Sequence, residues 1–489
     1  MDSANTWERI ERQKVRRRTR HYRPGDRPDP SRPPGTDLLP QVKHIVVLMM
    51  ENHSFDNYLG TLGRGEGFSL DEDGIPDAEN PDSAGTPIRA NHARSTVQQC
   101  GVPCQSWSAS HAQWADGKMN GFVTSVEQAA PESEQAPEGD KAAAMAYWTG
   151  QDLPFYHGLA RTFPLADRWF SSCLGPTFPN RRFLLAGTAN GLMDDLPVNL
   201  LDRPRAGTIL DMLTRHKISW VNYRPASEEQ SEFRRYVQYR RRRKRHHLTH
   251  LGRPLRKTGF AFKRDLQFTS ALYPLGMASY MAHVRGIERF FADADSGNLP
   301  SFCLVDPDFR SFSEENPQDI RKGESFAAEV ISRVMHGPGW ADTLLIWTYD
   351  EHGGYYDHVT PPSAVPPDDV HGRSLVAHRS ALRPLLKVLF PSYVRHAEQL
   401  VAGPDAYDTY GFRVPAVIVS PYARPDCVLS DVFDHTSVLK LVEEKWNLPA
   451  LTRRDAAATA PLGALDLTAP PAFLTPPELP PPALAWGTW

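Results

Sequence analysis

Two short apolar runs end in residues that bind cations. His-Ile-Val-Val-Leu-Met-Met (44–50) stops at Glu51-Asn52, and Thr-Leu-Leu-Ile-Trp-Thr-Tyr (343–349) stops at Asp350-Glu351-His352. Buried strands that break off at carboxylates place them at the carboxyl edge of a sheet, where open α/β folds build their sites. Glu51, Asn52, Asp350 and Glu351 are oxygen donors of the kind hard or borderline dications prefer, so the two ends are expected to share one cation. A lone acid at a strand end commonly just caps a helix or faces water; two ends with adjacent donors point to an ion. Calcium, magnesium and zinc all tolerate part of this set, and a nitrogen from His352 would favour zinc.

The second end continues through Gly353-Gly354-Tyr355-Tyr356-Asp357-His358. Paired glycines allow a tight turn or a close approach to a ligand. His352, Asp357 and His358 either support the site or belong to an ordinary polar loop. Thr177 stands between Pro176 and Phe178-Pro179, ahead of a helical pattern. Its hydroxyl would lie at a helix N-terminus, where free amides and the dipole favour an anion. Beside a cation that lowers its pKa it becomes a nucleophile, unless it is only a cap. Asn180 and Arg181 follow as oxyanion donors, the guanidinium fork matching phosphate.

The elements that position these residues alternate in type. Runs at 218–223, 301–305, 343–349 and 414–419 read as buried strands, and the second ends at Asp306, repeating the strand-then-acid pattern. Residues 324–335 are apolar at helical spacing and feed the strand at 343, and Thr436 can cap a helix from Ser437 to Trp446. Strands and helices in alternation predict an α/β fold with a mostly parallel central sheet between helical layers. Residues 1–40 form an Arg- and Pro-rich arm expected to be mobile, 41–455 the catalytic domain, and 456–489 a Pro-rich tail laid on the surface. An Arg-rich insertion near 224–265, with five of the six residues 240–245 arginine, is too charged to be buried.

In 489 residues, 40% are apolar and 23% charged, which is ordinary for a globular protein, and a net charge of -3 gives no global field for nucleic acid or anionic membrane. Five sparse cysteines do not make a disulfide framework. The basic N-terminus leads into prolines instead of an apolar core, and no apolar stretch reaches the roughly 18 residues of a membrane span. A soluble cytoplasmic protein is expected as the sequence stands, or a secreted one if its true N-terminus differs. The sequence carries no signal for oligomeric state.

Four ordered segments complete the reading: residues 47–60 (Val-Leu-Met-Met-Glu-Asn-His-Ser-Phe-Asp-Asn-Tyr-Leu-Gly), 175–181 (Gly-Pro-Thr-Phe-Pro-Asn-Arg), 349–359 (Tyr-Asp-Glu-His-Gly-Gly-Tyr-Tyr-Asp-His-Val) and 433–438 (Phe-Asp-His-Thr-Ser-Val). Together they resemble the bacterial phosphoesterase family of phosphocholine-type phospholipases C and related acid phosphatases. The resemblance implies an alkaline phosphatase-like three-layer sandwich and hydrolysis of phosphoric esters through a phospho-enzyme intermediate. It places Glu51, Asn52, Asp350, Glu351 and Thr177 on a divalent metal, with Thr177 as the nucleophile. It also puts His111 near the phosphate, with Asn52 as a further phosphate contact and His435 in a supporting place. The implied partner is a phosphate ester, with a phospholipid met by transient membrane contact among the candidates. The chain departs from the family where many relatives carry Glu/Asp-His-Pro, for it reads Glu315-Asn316-Pro317. Alternatives are a sulfatase or phosphotransferase on the same scaffold, or a weakly catalytic protein that holds an anionic membrane through residues 240–245.

Overall fold

The computed structural model describes residues 22–99, 103–128, 140–195, 204–225, 280–372, 401 and 403–488. The arginine run at 240–245 and the first 21 residues of the basic arm lie outside these. An eight-stranded sheet forms the centre, built from β1 (His44–Met50), β2 (Leu165–Ala166), β3 (Trp220–Arg224), β4 (Val284–Gly286), β5 (Phe302–Val305), β6 (Thr343–Tyr349), β7 (Ala416–Val419) and β8 (Val428–Leu429). Its order is β8-β2-β7-β6-β1-β5-β3-β4. The pairs β6-β1, β1-β5, β5-β3 and β3-β4 are parallel, whereas β7 runs antiparallel to both of its neighbours. The sheet is therefore mostly parallel, as the alternating pattern predicts.

The two central strands read as unbroken apolar runs because both of their faces are covered: Ile45 to Met50 and Leu344 to Trp347 are all fully buried. Each such side chain contributes about 1.5–3 kcal/mol of apolar transfer, which fixes β1 and β6 as the rigid middle of the sheet. Two sets of helices pack among themselves: α4 (Pro154–Thr162), α7 (Ile287–Asp295) and α8 (Ile320–His336) in one, α5 (Thr177–Ala186), α6 (Ile209–Arg215), α9 (His435–Trp446) and α10 (Arg453–Ala457) in the other. Short helices α1 (Phe55–Leu59), α2 (Trp107–Trp114) and α3 (Phe122–Gln128) lie in the long connection after β1.

Residues 22–40, expected to be mobile, instead lie along the end of α9. Gly35 N donates to Trp446 O at 2.8 Å, Lys445 Nζ reaches Asp37 at 2.7 Å, and Asn447 Nδ2 donates to Asp29 O at 2.8 Å. The helix end explains this: its terminal carbonyls and left-handed Asn447 need partners, which the proline-rich segment supplies. The C-terminal tail lies on α8 and its surroundings, with Ala483 N donating to Glu324 and Trp486 5.2 Å from the ring of Phe312. No helix among the described residues is long and apolar enough to cross a membrane.

Candidate active site

Register delivers the acids to one place. Met50 pairs with Tyr349 across β1 and β6, so Glu51 and Asp350 leave the sheet side by side. Leu48 pairs with Val305 across β1 and β5, which brings Asp306 to the same edge. Asn52 then turns through a left-handed conformation (φ 70°) that asparagine tolerates, and its N–H donates to Asp350 Oδ1 at 3.2 Å. The glycine pair acquires a specific reason here. Gly353 has φ 67°, and a Cβ on it would sit 1.9 Å from Asn52 O. The two strand-end loops thus touch backbone to backbone, an approach only glycine permits.

Arg181 ties this edge together. Its guanidinium is buried, with Nε 3.0 Å from Asp350, Nη1 2.8 Å from Asp306 and Nη2 3.5 Å from Glu51. Asn180 is also turned inward: its amide donates to Gly175 O at 2.8 Å and accepts from Cys173 N at 3.0 Å, bracing the loop before Thr177. Both residues, expected as phosphate donors, spend their polar groups inside the protein. For Arg181 the reason is electrostatic, since three buried carboxylates bind a guanidinium more strongly than they could be left unpaired.

Thr177 opens α5, with Pro176 as its N-cap. It is 8% exposed, and its hydroxyl makes no hydrogen bond among the described residues. The helix N-terminus is held by a protein carboxylate, as Phe178 N donates to Asp195 Oδ1 at 2.9 Å. His111 lies on α2, its ring tilted by 35° against that of Trp107 at 4.8 Å, with Nδ1 2.7 Å from Trp107 O. Trp107 in turn lies against Gly175, where a Cβ would come within 2.8 Å of its ring. Trp107 thereby joins His111 to the loop that precedes Thr177.

His435, at the first position of α9, brings Nε2 to 2.6 Å from Asp350 O. Burial lowers its pKa, so the neutral ring donates that bond. Glu351 Oε2 accepts from Gly353 N at 2.8 Å and faces His352 Nδ1 at 3.3 Å. Asp357 and His358 stand elsewhere, with Asp56. Among the described residues this trio of Asp, Glu, His or Cys closes to within 4.8 Å. It does not suit a cation, because Arg413 already fills it, with Nε 2.8 Å from Asp357 and Nη2 3.0 Å from Asp56. The trio and Arg413 form a buried ion-pair network that holds the Gly-Gly loop against α1.

The strand-end cluster, although Arg181 pairs with three of its acids, keeps polar atoms that a dication could take. Asn52 Oδ1, Glu351 Oε1 and His435 Nδ1 are buried without a hydrogen-bond partner, a costly state for polar atoms unless another ligand satisfies them. Burial, and next the Asp350 charge, hold Glu51 and Glu351 well above the usual carboxylate range. The Glu315 charge adds to both, so the departure at Glu315-Asn316-Pro317 still brings a carboxylate to this edge. The acids are spread around Arg181 instead of converging, as expected for like charges with one guanidinium among them. Sequence reading missed Asp195 altogether, met Glu315 only as a departure from the family's Glu/Asp-His-Pro, and saw Asp306 only as a recurring pattern. The strand-then-acid signal could have found Asp306; the other two lie in loops without any comparable signal.

The chain is 28% identical over 452 residues to "Phospholipase C A" of Mycobacterium tuberculosis, covering 88% of this chain and 79% of that protein. It is 29% identical over 451 residues to "Non-specific phospholipase C1" of Arabidopsis thaliana, covering 85% and 69%. To "Hemolytic phospholipase C" of Pseudomonas aeruginosa it is 26% identical, covering 84% of this chain and 54% of that one. A solved structure described as a protein in the alkaline phosphatase superfamily from Vibrio parahaemolyticus covers 93% of this chain and 78% of that chain at 9% identity, with a TM-score of 0.38, below the level at which a shared fold follows. The phosphoesterase family's sequence model matches residues 42–449. The chain belongs to the phosphoesterase family and is a hydrolase of phosphoric ester bonds.

Proposed function

We propose that this enzyme cleaves phosphodiesters of the phospholipid type by two successive displacements, with Thr177 as the nucleophile. The observation that carries this reading is one of helical phase. Arg181, one turn beyond Thr177, ion-pairs with Asp350 and Glu51. Residues four apart share a helix face, so Thr177 is turned toward the strand-end carboxylates. Its hydroxyl is the unbonded one there, at a helix start that favours developing negative charge.

Glu51, Asn52, Asp350 and Glu351, with the Thr177 hydroxyl, would hold one divalent cation. Such an ion supplies Lewis acidity and lowers the hydroxyl's pKa. Thr177 Oγ1 gives up its proton and attacks phosphorus, the bond to one alcohol oxygen breaks and that alcohol leaves with a proton, and a threonine phosphodiester that still carries the second alcohol is left; water then displaces Thr177 Oγ1, releasing the phosphomonoester and restoring the hydroxyl with net retention at phosphorus. His111 has Nδ1–H committed to Trp107 O, so its Nε2 donates to a phosphoryl or leaving oxygen only as imidazolium. Burial lowers its pKa, and that form grows as pH falls. The relatives named phospholipase C direct the substrate to phospholipid, met at a membrane surface in transient contact. A Thr177→Ala variant is expected to lose at least about 10³-fold in turnover of p-nitrophenyl phosphorylcholine and p-nitrophenyl phosphate while keeping the wild-type circular dichroism. Wild-type rates in that variant would overturn the assignment.

A further inference from the structure

Asp195 closes the N-terminus of α5. Its Oδ1 accepts from Phe178 N at 2.9 Å, reaching back from 17 positions further along the chain, and the residue is exposed. This helix start has few donors to spare. The opening residues of an α-helix carry amides without carbonyl partners, and these are the groups that hold an anion. In α5 those residues are Thr177, Phe178 and Pro179. Pro179 has no N–H, and Phe178 has given its own to Asp195. Of the three, Thr177 alone keeps an N–H for a ligand. The helix start beside the nucleophile is therefore already met by a carboxylate.

Unpartnered polar groups mark the same corner as built for a ligand. Thr177 is 8% exposed with its hydroxyl unbonded among the described residues, and Glu351 Oε1 is buried without a partner. The Asp195 charge is among those felt at Glu351, so this carboxylate stands within electrostatic reach of the strand ends as well as of the helix start. A phosphodiester carries one negative charge at neutral pH, and a phosphomonoester close to two. A fixed carboxylate on the amide next to Thr177 repels the second charge, and the first turn has no spare donor to offset it. We propose that Asp195 is a specificity-determining residue, which sets the site against dianionic phosphomonoesters and in favour of monoanionic phosphodiesters. This role rests on Thr177 being the nucleophile, as proposed above. Asparagine at this position would still accept from Phe178 N, so the cap and the charge can be separated.

Methyl p-nitrophenyl phosphate and p-nitrophenyl phosphate share a leaving group and differ by one charge, and they test this in the intact enzyme at about pH 8, where the monoester is dianionic. In Asp195→Asn the ratio of kcat/KM for the diester to that for the monoester should fall at least about 10-fold, and inhibition by inorganic phosphate should tighten by a similar factor. A cap with a structural role alone leaves the ratio where it was, because asparagine keeps the hydrogen bond; an unchanged ratio overturns the proposal. Asp195→Ser, a shorter neutral cap, gives the same reading should the asparagine variant fold poorly. Thr177→Ala separates the two claims. Loss of both activities there, beside an unchanged ratio in Asp195→Asn, overturns the selectivity role alone. Wild-type rates on both esters in Thr177→Ala would remove the nucleophile and the proposal with it.

Discussion

Arg181→Met is the perturbation whose outcome the structure specifies most fully. The side chain is buried against Asp306, Asp350 and Glu51 at 2.8, 3.0 and 3.5 Å. Methionine retains much of the stem's packing and removes the guanidinium that pairs with all three carboxylates. Breaking a buried ion pair from one side costs roughly 3–5 kcal/mol, because the partner charge is left uncompensated. With an unfolding entropy of about 2.1 cal/mol/K per residue, the 489 residues give about 1 kcal/mol per kelvin, hence a melting point lowered by about 3–5 °C. The sign with pH also follows. Without Arg181 the Glu51 and Asp306 carboxyls, already raised by burial, rise further in the folded state, a contribution that is lost as pH rises, so the deficit should be larger at pH 8 than at pH 5.5. Asp306→Asn in the same background should recover part of it. Differential scanning calorimetry of the metal-stripped proteins reads all three. A fall below about 1 °C with a raised KM would refute the reasoning, since a guanidinium reserved for substrate phosphate changes binding and leaves folding untouched.

Two further outcomes follow from the same geometry. Gly353→Ala places a Cβ against Asn52 O at a φ of 67°, and since a displacement of about 1 Å at a reacting centre costs on the order of 10²-fold, kcat/KM should fall at least that far with the sheet intact by circular dichroism; activity within a few-fold of wild type would show that the loop contact is slack. His157 is buried, its pKa pushed down to about 4 with Nε2 2.8 Å from Tyr58 O. The unfolded chain takes a proton there that the folded one refuses. Its stabilisation is therefore complete above pH 6.5 and lost as pH falls toward 4, by about 1.4 kcal/mol per pH unit. His157→Gln, which keeps a donor for Tyr58 O, should flatten the acid limb of a melting-point profile, and parallel profiles would count against it.

The strand ends were legible because their signal is local: an apolar run covered on both faces, cut off by acids, needs no tertiary information. Asp350 and Glu51 could be placed at one edge on that ground, and Thr177 at a helix start from its proline and the pattern behind it. What stayed hidden was direction. Nothing in Asn180-Arg181 says whether the fork faces phosphate or three carboxylates, because Asp306 joins the edge only through the register of β5. Residues 22–40 read as mobile from composition, yet their backbone partners come from the far end of α9. Asp357 and His358 resemble Asp350 in sequence; Arg413, arriving from some 55 residues away, closes them into an ion-pair network with Asp56, whereas Asp350 shares Arg181 with Asp306 and Glu51.

Asn52 and Asp350, hydrogen-bonded in the folded protein, are 298 positions apart in the chain. During synthesis Glu51-Asn52 is made early and waits, and Thr177 follows long before Asp350-Glu351, so the cation site and nucleophile proposed above are assembled last. β6 is inserted between β1 and β7, so catalytic competence arrives only with closure of the sheet's middle. A nascent or truncated chain lacking β6 is then hydrolytically silent. Cation binding becomes a reporter of complete folding: an ion that binds only the closed sheet stabilises the whole molecule, by about 2.7 kcal/mol at a hundred times its dissociation constant.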